Sequence, residues 1–247
     1  MDFATRKGIQ GLTMYRVDSD DRLIETPPQA IARDVHVRSI GASGVGRVLK
    51  RLLDITGAAL FLVLGMPLYL LVALGVKLSS PGPVHYWQYR VGIGGRRFAF
   101  IKFRSMVMDG DEVLNSFLDS DSAARAKWET HQKLERDPRI TRFGSFIRRT
   151  SLDELPQFWN VLLGDMSLVG PRPCMADQDK YYGEHWTTYC TMRPGITGLW
   201  QVSGRNTLTY AERVRMDVRY VQEWSLWLDL CILLKTVKVV LTGHGAH

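Results

Sequence analysis

Ile55-Thr-Gly-Ala-Ala-Leu-Phe-Leu-Val-Leu-Gly-Met-Pro-Leu-Tyr-Leu-Leu-Val-Ala-Leu-Gly-Val76 is an unbroken stretch of 22 residues without a charge. At the helical rise per residue it reaches about 33 Å, enough to cross the apolar core of a bilayer. A buried helix of a soluble domain would need more surrounding core than the polar remainder supplies, so the segment reads as a membrane helix. Pro67 sits in its middle, removes the bond its N–H would make to Val63, and has Gly65 beside it, so a bend is expected there. Arg47, Lys50 and Arg51 precede the segment, and Lys77, Arg90, Arg96 and Arg97 come after it. Both flanks thus carry the charge that normally stays cytoplasmic. A re-entrant helix that enters and leaves by the cytoplasmic face, with its vertex near Pro67, satisfies both flanks; a proline-kinked single span is the alternative.

Outward from this segment, the 247-residue chain has a formal charge of +7, which calls for an anionic partner: nucleic acid, an anionic membrane surface or a phosphorylated substrate. Cys174, Cys190 and Cys231 are too far apart for a metal knuckle, and their odd number argues against a disulfide framework, as in a reducing compartment. The six histidines lack H-x-x-x-H or H-E-x-x-H spacing. Residues 1–46 are polar, without an apolar run that would mark a secretory signal, and their six acids and six bases cancel, leaving the positive excess on 47–247. Pro27-Pro28 and Gly41-Ala-Ser-Gly-Val-Gly46 make this a flexible extension. The glycine run does not have G-x-G-x-x-G spacing, and the apolar stretch after it is too long for the helix of a dinucleotide-binding unit. The expected organisation is an extension over 1–46, a membrane helix over 47–78 and a further domain over 79–247, of α+β class and mainly helical.

Within that domain, Val84 to Arg90 and Arg97 to Phe103 read as two short strands joined across Gly92-Ile-Gly-Gly95. Residues 109–137 have a weak helical period and mixed charge, an exposed helix. Asp109-Gly-Asp111 and Asp119-Ser-Asp121 match the short D-x-D metal motif of some glycosyltransferases, but solvated helix faces produce the same pattern. Leu155, Phe158, Trp159 and Leu162 form one apolar stripe on a helix beginning after Ser151. Leu226 to Leu241 is apolar but holds Asp229, Lys235 and Lys238, which suits a helix lying in the membrane interface, with Trp224 and Trp227 in the headgroup belt. Packing on the protein's own core is an equally ordinary account of both stripes.

The chemistry centres on Thr150-Ser-Leu-Asp-Glu-Leu-Pro156 and Gly164-Asp-Met-Ser-Leu-Val-Gly-Pro-Arg-Pro173. Asp153 and Glu154 have a plain structural account: if Ser151 caps a helix, they fall at its second and third positions as a capping box. Their surroundings suggest more. Lys102 and Arg104 close the second strand. Arg148 leads into the pair, Arg172 comes after it between two prolines that would stiffen its backbone, and Arg205 lies in the loop Ser203-Gly-Arg-Asn206. Arginine forks grip phosphate oxygens, and glycine-bearing loops let backbone N–H groups approach an anion. A carboxylate at a helix start, ringed by cations and anchored to lipid, suits phosphate transfer. A divalent cation, Mg2+, would relieve the repulsion between aspartate and phosphate, with Glu154 placed to help hold it.

The chain resembles the bacterial sugar transferases, the monotopic phosphoglycosyl transferases that begin envelope glycan assembly. The resemblance rests on Lys50-Arg-Leu-Leu-Asp54, Ser80-Pro-Gly-Pro83, Arg90-Val-Gly92, Lys102-Phe-Arg104, Ser151-Leu-Asp-Glu-Leu-Pro156, Asn160-Val-Leu-Leu-Gly-Asp-Met-Ser-Leu-Val-Gly-Pro-Arg-Pro173, Arg193-Pro-Gly-Ile-Thr-Gly198 and Ser203-Gly-Arg-Asn206, in the same order. It implies a two-step displacement. The aspartate matching Asp153 attacks the β-phosphate of a UDP-sugar, releases UMP, and passes the sugar phosphate to a polyprenyl phosphate such as undecaprenyl phosphate. Glu154 matches the family's Mg2+-associated glutamate. The resemblance also implies a bacterial inner membrane location with the catalytic domain on the cytoplasmic face, no nucleic acid partner, a possible homodimer and a role in exopolysaccharide synthesis. The family often has Ser-Pro at the break of its re-entrant helix, whereas Met66 precedes Pro67 here. Larger relatives carry further membrane helices and a further domain, so the chain reads as a short-form member. Two other classes make different expectations: an anchored binding module releases no nucleotide, and a glycosyltransferase using Asp109 and Asp111 releases UDP rather than UMP.

Overall fold

A computed structural model describes residues 44–131, 134, 136–204 and 208–242. Most of the expected 1–46 extension, and Arg205 among the expected substrate-binding residues, lie outside the described residues. The apolar stretch is the heart of α1 (Gly44–Ser79), a helix that is assigned without interruption through Pro67. Its buried positions, Lys50, Asp54, Ala58 and Leu62, then Val72 and Val76, recur every four residues and form one stripe. Between them, Val63, Leu64, Leu68, Leu70 and Leu71 are exposed.

The two arms of α1 dock on different elements of one body. The first packs on α5 (Gln157–Leu163) and β3 (Ser167–Val169), and the second on α4 (Arg142–Arg149). Two glycines allow the approach: a Cβ at Gly57 would lie 2.7 Å from Leu168 Cδ1, and one at Gly75 would run into the Phe143 ring. Phe61 stacks on Phe158 of α5 with ring centroids 3.9 Å apart.

The expected hairpin is present as β1 (His85–Val91) and β2 (Arg97–Phe103), antiparallel with Tyr86 opposite Lys102. Gly94 and Gly95 take positive φ in the connecting turn. The expected exposed helix over 109–137 is two helices, α2 (Gly110–Ser120) and α3 (Ser122–His131). The break is at Asp121, whose extended backbone lets its carboxylate accept from the N–H groups of Ala123 and Ala124 and so start the second helix.

After α5 and β3 come α6 (Asp179–Tyr182), α7 (Trp186–Tyr189), β4 (Gly195–Thr197), α8 (Tyr210–Gln222) and α9 (Leu226–Thr242). β4 pairs in parallel with β3. Among the described residues this gives a mainly helical α+β fold with two small sheets. Phe98 and Phe100 of β2, Val161 of α5, Tyr220 and Val221 of α8 and Ile232 of α9 share one core.

One expectation is corrected, and for the two apolar stripes, whose packing on the protein's own core is an equal account, the structure shows which residues are buried. Ser151 does not cap a helix: it adopts a left-handed conformation (φ 57°) with no capping bond, Leu152–Glu154 form a 3-10 turn, and α5 starts only after Pro156. The stripe of Leu155, Phe158 and Leu162 faces the protein's own core, and only Trp159 of the set is exposed. Asp229 does not keep α9 in contact with water; it is fully buried and paired with Lys50.

Candidate active site

The acids sit where α4 hands over to α5. Thr141 caps α4 by accepting from Gly144 N–H at 2.8 Å. The helix ends at Arg149, the chain reverses through Ser151, and the 3-10 turn presents Asp153 and Glu154 beside β2. Asn160 fixes that placement. On α5, buried to 1 % exposure, its Nδ2 donates to Ala99 O at 2.7 Å and its Oδ1 accepts from Ile101 N–H at 3.2 Å. A single side chain thereby satisfies the free edge of β2 as a further strand would.

Lys102, one residue beyond Ile101, stands between the two acids. Its Nζ is 3.0 Å from Glu154 Oε1 and 3.6 Å from Asp153 Oδ2. The environments separate the carboxyls. Burial pushes Asp153 above the ordinary carboxylate range, helped by the negative charge of Glu154 and opposed by Lys102 and Arg148. Burial acts the same way on Glu154, but the positive charges of Lys102 and Arg172 outweigh it and hold Glu154 below the ordinary range. Glu154 is therefore the more firmly ionised, and Asp153 the acid that keeps its proton longer. Ser151 belongs to the same turn, and a non-glycine residue held left-handed is a strained position of the kind that accumulates at functional sites.

The model of the bacterial sugar transferase family matches residues 45–243. The chain belongs to that family. An exopolysaccharide production protein, ExoY, from Sinorhizobium fredii is 46% identical over 203 residues, 82% of this chain and 90% of its own length. The undecaprenyl-phosphate galactose phosphotransferase of Salmonella typhimurium is 51% identical over 202 residues, 81% of this chain and 42% of its own. The UDP-glucose:undecaprenyl-phosphate glucose-1-phosphate transferase of Caulobacter vibrioides is 43% identical over 208 residues, 80% of this chain and 72% of its own. The chain thus spans less than half the length of several of the curated relatives it matches.

In this sugar transferase the sequence-predicted cations have separate placements. Lys102 is on the acids. Arg148 donates through Nε to Ser105 Oγ at 2.7 Å, and its charge acts on Asp153. Arg172 is exposed, its guanidinium 5.6 Å from the centre of the Trp200 ring, and its charge acts on Glu154. Arg104 is turned elsewhere: buried, it donates to Pro81 O at 2.6 Å and to Ser80 O at 2.7 Å, which holds the Ser80-Pro-Gly-Pro83 turn. Of the aspartates in the D-x-D stretches, Asp111 lies in the first turn of α2, and Asp119 pairs with Arg125.

Lys50, Arg51 and Asp54 have placements that the sequence did not reveal. Lys50 donates to Asp229 Oδ2 at 2.7 Å and to Val169 O at 3.0 Å. Arg51 donates to Val161 O and Leu162 O at the end of α5, and Asp54 accepts from Ser167 Oγ and Leu168 N–H. A charge every three or four residues at the head of an apolar helix was the available signal: such residues lie on one face and must be matched when that face is buried.

Proposed function

We propose that this chain transfers a sugar 1-phosphate from a UDP-sugar to a polyprenyl phosphate through a covalent intermediate on Asp153. The observation that carries the reading is the adjacent pair Asp153 and Glu154 sharing Lys102, whose Nζ is 3.6 Å from one and 3.0 Å from the other, with Asp153 buried in the turn. The names of the relatives, which act on undecaprenyl phosphate, supply the substrate classes.

In the first step a carboxylate oxygen of Asp153 attacks the β-phosphorus of the donor. A new O–P bond forms as the bond from that phosphorus to the bridging oxygen breaks, and UMP leaves with the electron pair. In the second step an oxygen of the polyprenyl phosphate attacks the same phosphorus and Asp153 departs as a carboxylate, giving the polyprenyl diphosphate sugar. Lys102 offsets negative charge as the anionic donor meets Asp153, while the charge of Arg148 acts on Asp153 and that of Arg172 on Glu154. The binding roles of these three cations, and of Arg205 in its loop, are part of the proposal; Arg104 serves by holding the turn at 80–83.

The residues also fit Mg2+. Two adjacent carboxylates are few donors for a cation cage, and among the described residues no group of three or more His, Cys, Asp or Glu gathers elsewhere, but Mg2+ is commonly held by one or two carboxylates together with substrate phosphates. Glu154, with Asp153 beside it, would hold the ion. Bound there, it supplies neutralisation of the diphosphate's charge.

The same proposal places the protein on the cytoplasmic face of the bacterial inner membrane with α1 re-entrant. Support comes from the docking of both α1 arms on one body, with exposed leucines and Val63 around Pro67 between them. Trp227, Leu230, Leu234 and Val237 add an exposed apolar stripe on α9 suited to the interface. A lipid acceptor bound to the bilayer requires an enzyme held there. The reaction is tested by incubating the full chain with a panel of UDP-sugars, undecaprenyl phosphate and Mg2+, and scoring UMP and the mass of the peptide containing Asp153. Wild type should release UMP and carry a sugar-phosphate adduct, and Asp153→Asn should do neither while staying folded. Full activity in that variant sinks the assignment.

A further inference from the structure

The head of α1 and the loop between α7 and β4 hold a second basic cluster. A cavity of about 90 Å³ there is lined by Arg47, Lys50, Arg51 and Asp54 of α1, by Arg193 and by Trp224, and by neither acid of the transfer site. Three- and four-residue spacing brings the α1 members to one face of its opening turns. The fold accounts for part of this charge. Lys50 is neutralised by Asp229. Arg51 donates through both terminal nitrogens, to Val161 O at 2.7 Å and Leu162 O at 3.1 Å, and so closes the last turn of α5. Arg193 comes to the same helix end, where its Nε donates to Gly164 O at 2.7 Å.

One cation at a helix C-terminus is ordinary, but two guanidiniums converging on one end repel each other, and the charge of Arg193 does act on Arg51. The carboxylate of the cavity does little to relieve this. Asp54 is engaged by Ser167 Oγ and Leu168 N–H, both at 2.9 Å. Arg47 is exposed and makes no ion pair or side-chain hydrogen bond among the described residues, and the hydrogen bond of Arg193 to them uses Nε, leaving the two-pronged end of its fork to a ligand. Three arginines therefore share one occupied carboxylate, an excess of positive charge in a partly enclosed place. Such a set is matched to phosphate oxygens.

The neighbours of these cations say which phosphate. The turns of α1 that carry Arg47, Lys50 and Arg51 also expose Val45, Val48, Leu49 and Leu52. A free phosphate would use the cations alone, whereas a lipid uses both, phosphate against guanidinium and acyl chains along apolar side chains. Trp224 in the cavity wall and the exposed Trp227 that follows it are the residues of a headgroup belt. We infer that the cavity seats the headgroup of an anionic phospholipid, with Arg47 and Arg193 gripping its phosphate and Arg51 adding to the positive field. That lipid takes no part in the transfer and fixes the head of α1 at headgroup depth, as basic pockets between membrane segments do. The inference rests on α1 lying in a membrane, re-entrant or spanning, and not on the chemistry of the acid pair.

The test places the full chain in nanodiscs of equal phosphatidylglycerol and phosphatidylcholine and counts retained lipid by native mass spectrometry. Wild type should keep one phosphatidylglycerol in preference to phosphatidylcholine by roughly tenfold, the scale of one charge-assisted contact. Arg47→Gln and Arg193→Gln should each remove most of that preference. Arg142→Gln, which takes an exposed arginine from the start of α4, outside the cavity, should leave it. Arg193→Gln also loses the bond to Gly164, so its thermal unfolding is checked, while the exposed Arg47 gives a variant that holds the fold and carries the test by itself. Equal retention of the two lipids by wild type, an unchanged preference in Arg47→Gln, or the same loss in Arg142→Gln overturns the site. Two further arms separate the sources of phosphate. Inorganic phosphate at matched ionic strength should not raise the unfolding temperature in neutral nanodiscs, and undecaprenyl phosphate should not displace the retained lipid; a rise that Arg47→Gln lacks, or displacement, gives the cavity to a soluble anion or to the acceptor and overturns the assignment. UMP release from UDP-sugars is scored in the same nanodiscs. Lipid preference without release removes the transfer reading alone, and release without lipid preference removes this site alone.

Discussion

Lys50 and Asp229 form a 2.7 Å ion pair inside the protein, joining α1 to α9 across 179 positions of sequence. The pair is embedded: Val169 O accepts a second Lys50 bond, and Tyr220 Oη and Trp224 Nε1 also donate to Asp229. Removing one partner of such a pair leaves a buried charge, whereas replacing both with apolar groups can be nearly neutral. Lys50→Met should cost about 3–5 kcal/mol of unfolding free energy, and the double change with Asp229→Leu should recover much of it. Chemical unfolding of both proteins in detergent checks this; a single variant as stable as wild type would show that the pair does not tie the helices.

Lys102 should set the acid side of the pH–rate profile. Asp153 attacks only when ionised, and burial already holds its pKa above the ordinary range with Lys102 opposing. Removing the lysine charge raises the Asp153 value further, so a higher pH is needed for the same ionised fraction. Lys102→Gln should therefore move the acidic limb of kcat upward by roughly one pH unit or more, the scale of a close opposite charge, in addition to lowering the plateau. A lower plateau with an unmoved limb would assign Lys102 to binding alone.

Asp217 should make the protein less stable as pH rises through the neutral range. Its carboxyl titrates at about 7 in the folded protein because of burial, against 3.8 for an ordinary aspartate. Between those values the folded state holds a proton that the unfolded state has released, so unfolding free energy falls as pH increases, by up to about 4 kcal/mol in total. Asp217→Asn carries no such charge. Its stability relative to wild type should improve steadily between about pH 4 and pH 7, and parallel stability curves for the two proteins would contradict the burial argument.

What could be read from sequence was whatever leaves a local pattern. The length of the apolar run marked α1, and alternation across a glycine turn marked the β1–β2 hairpin. The acid pair stood out through its basic neighbours. Ser151 was misread because a capping residue and a left-handed turn residue look alike until the backbone angle is known. The setting of Asp229 was left open because its partner is far away in sequence, and an acid in an apolar helix suggests water as readily as a buried lysine. Arg104 shows the same limit from the other side: an arginine donating to two carbonyls has the same letter as one facing a phosphate. β3 and β4, three residues each, are too short to alternate visibly. The cavity at the head of α1 had no linear signature, since Arg193 joins Arg47 and Arg51 only in the folded chain.

The re-entrant reading of α1 makes a prediction that a spanning helix cannot share. Val45 and Leu78 are exposed near opposite ends of the helix, at 69 % and 78 %. A straight helix over the 33 intervening steps would separate them by about 50 Å, more than a bilayer's full thickness. A span puts them on opposite sides, while a re-entrant helix returns both to the same side. Val45→Cys and Leu78→Cys, each made with Cys231→Ser because Cys174 and Cys190 are already buried, should both react with a membrane-impermeant maleimide in inside-out vesicles and both resist it in right-side-out vesicles. Opposite labelling of the two positions would establish a span and would remove the shared-body docking of the α1 arms as a guide to topology.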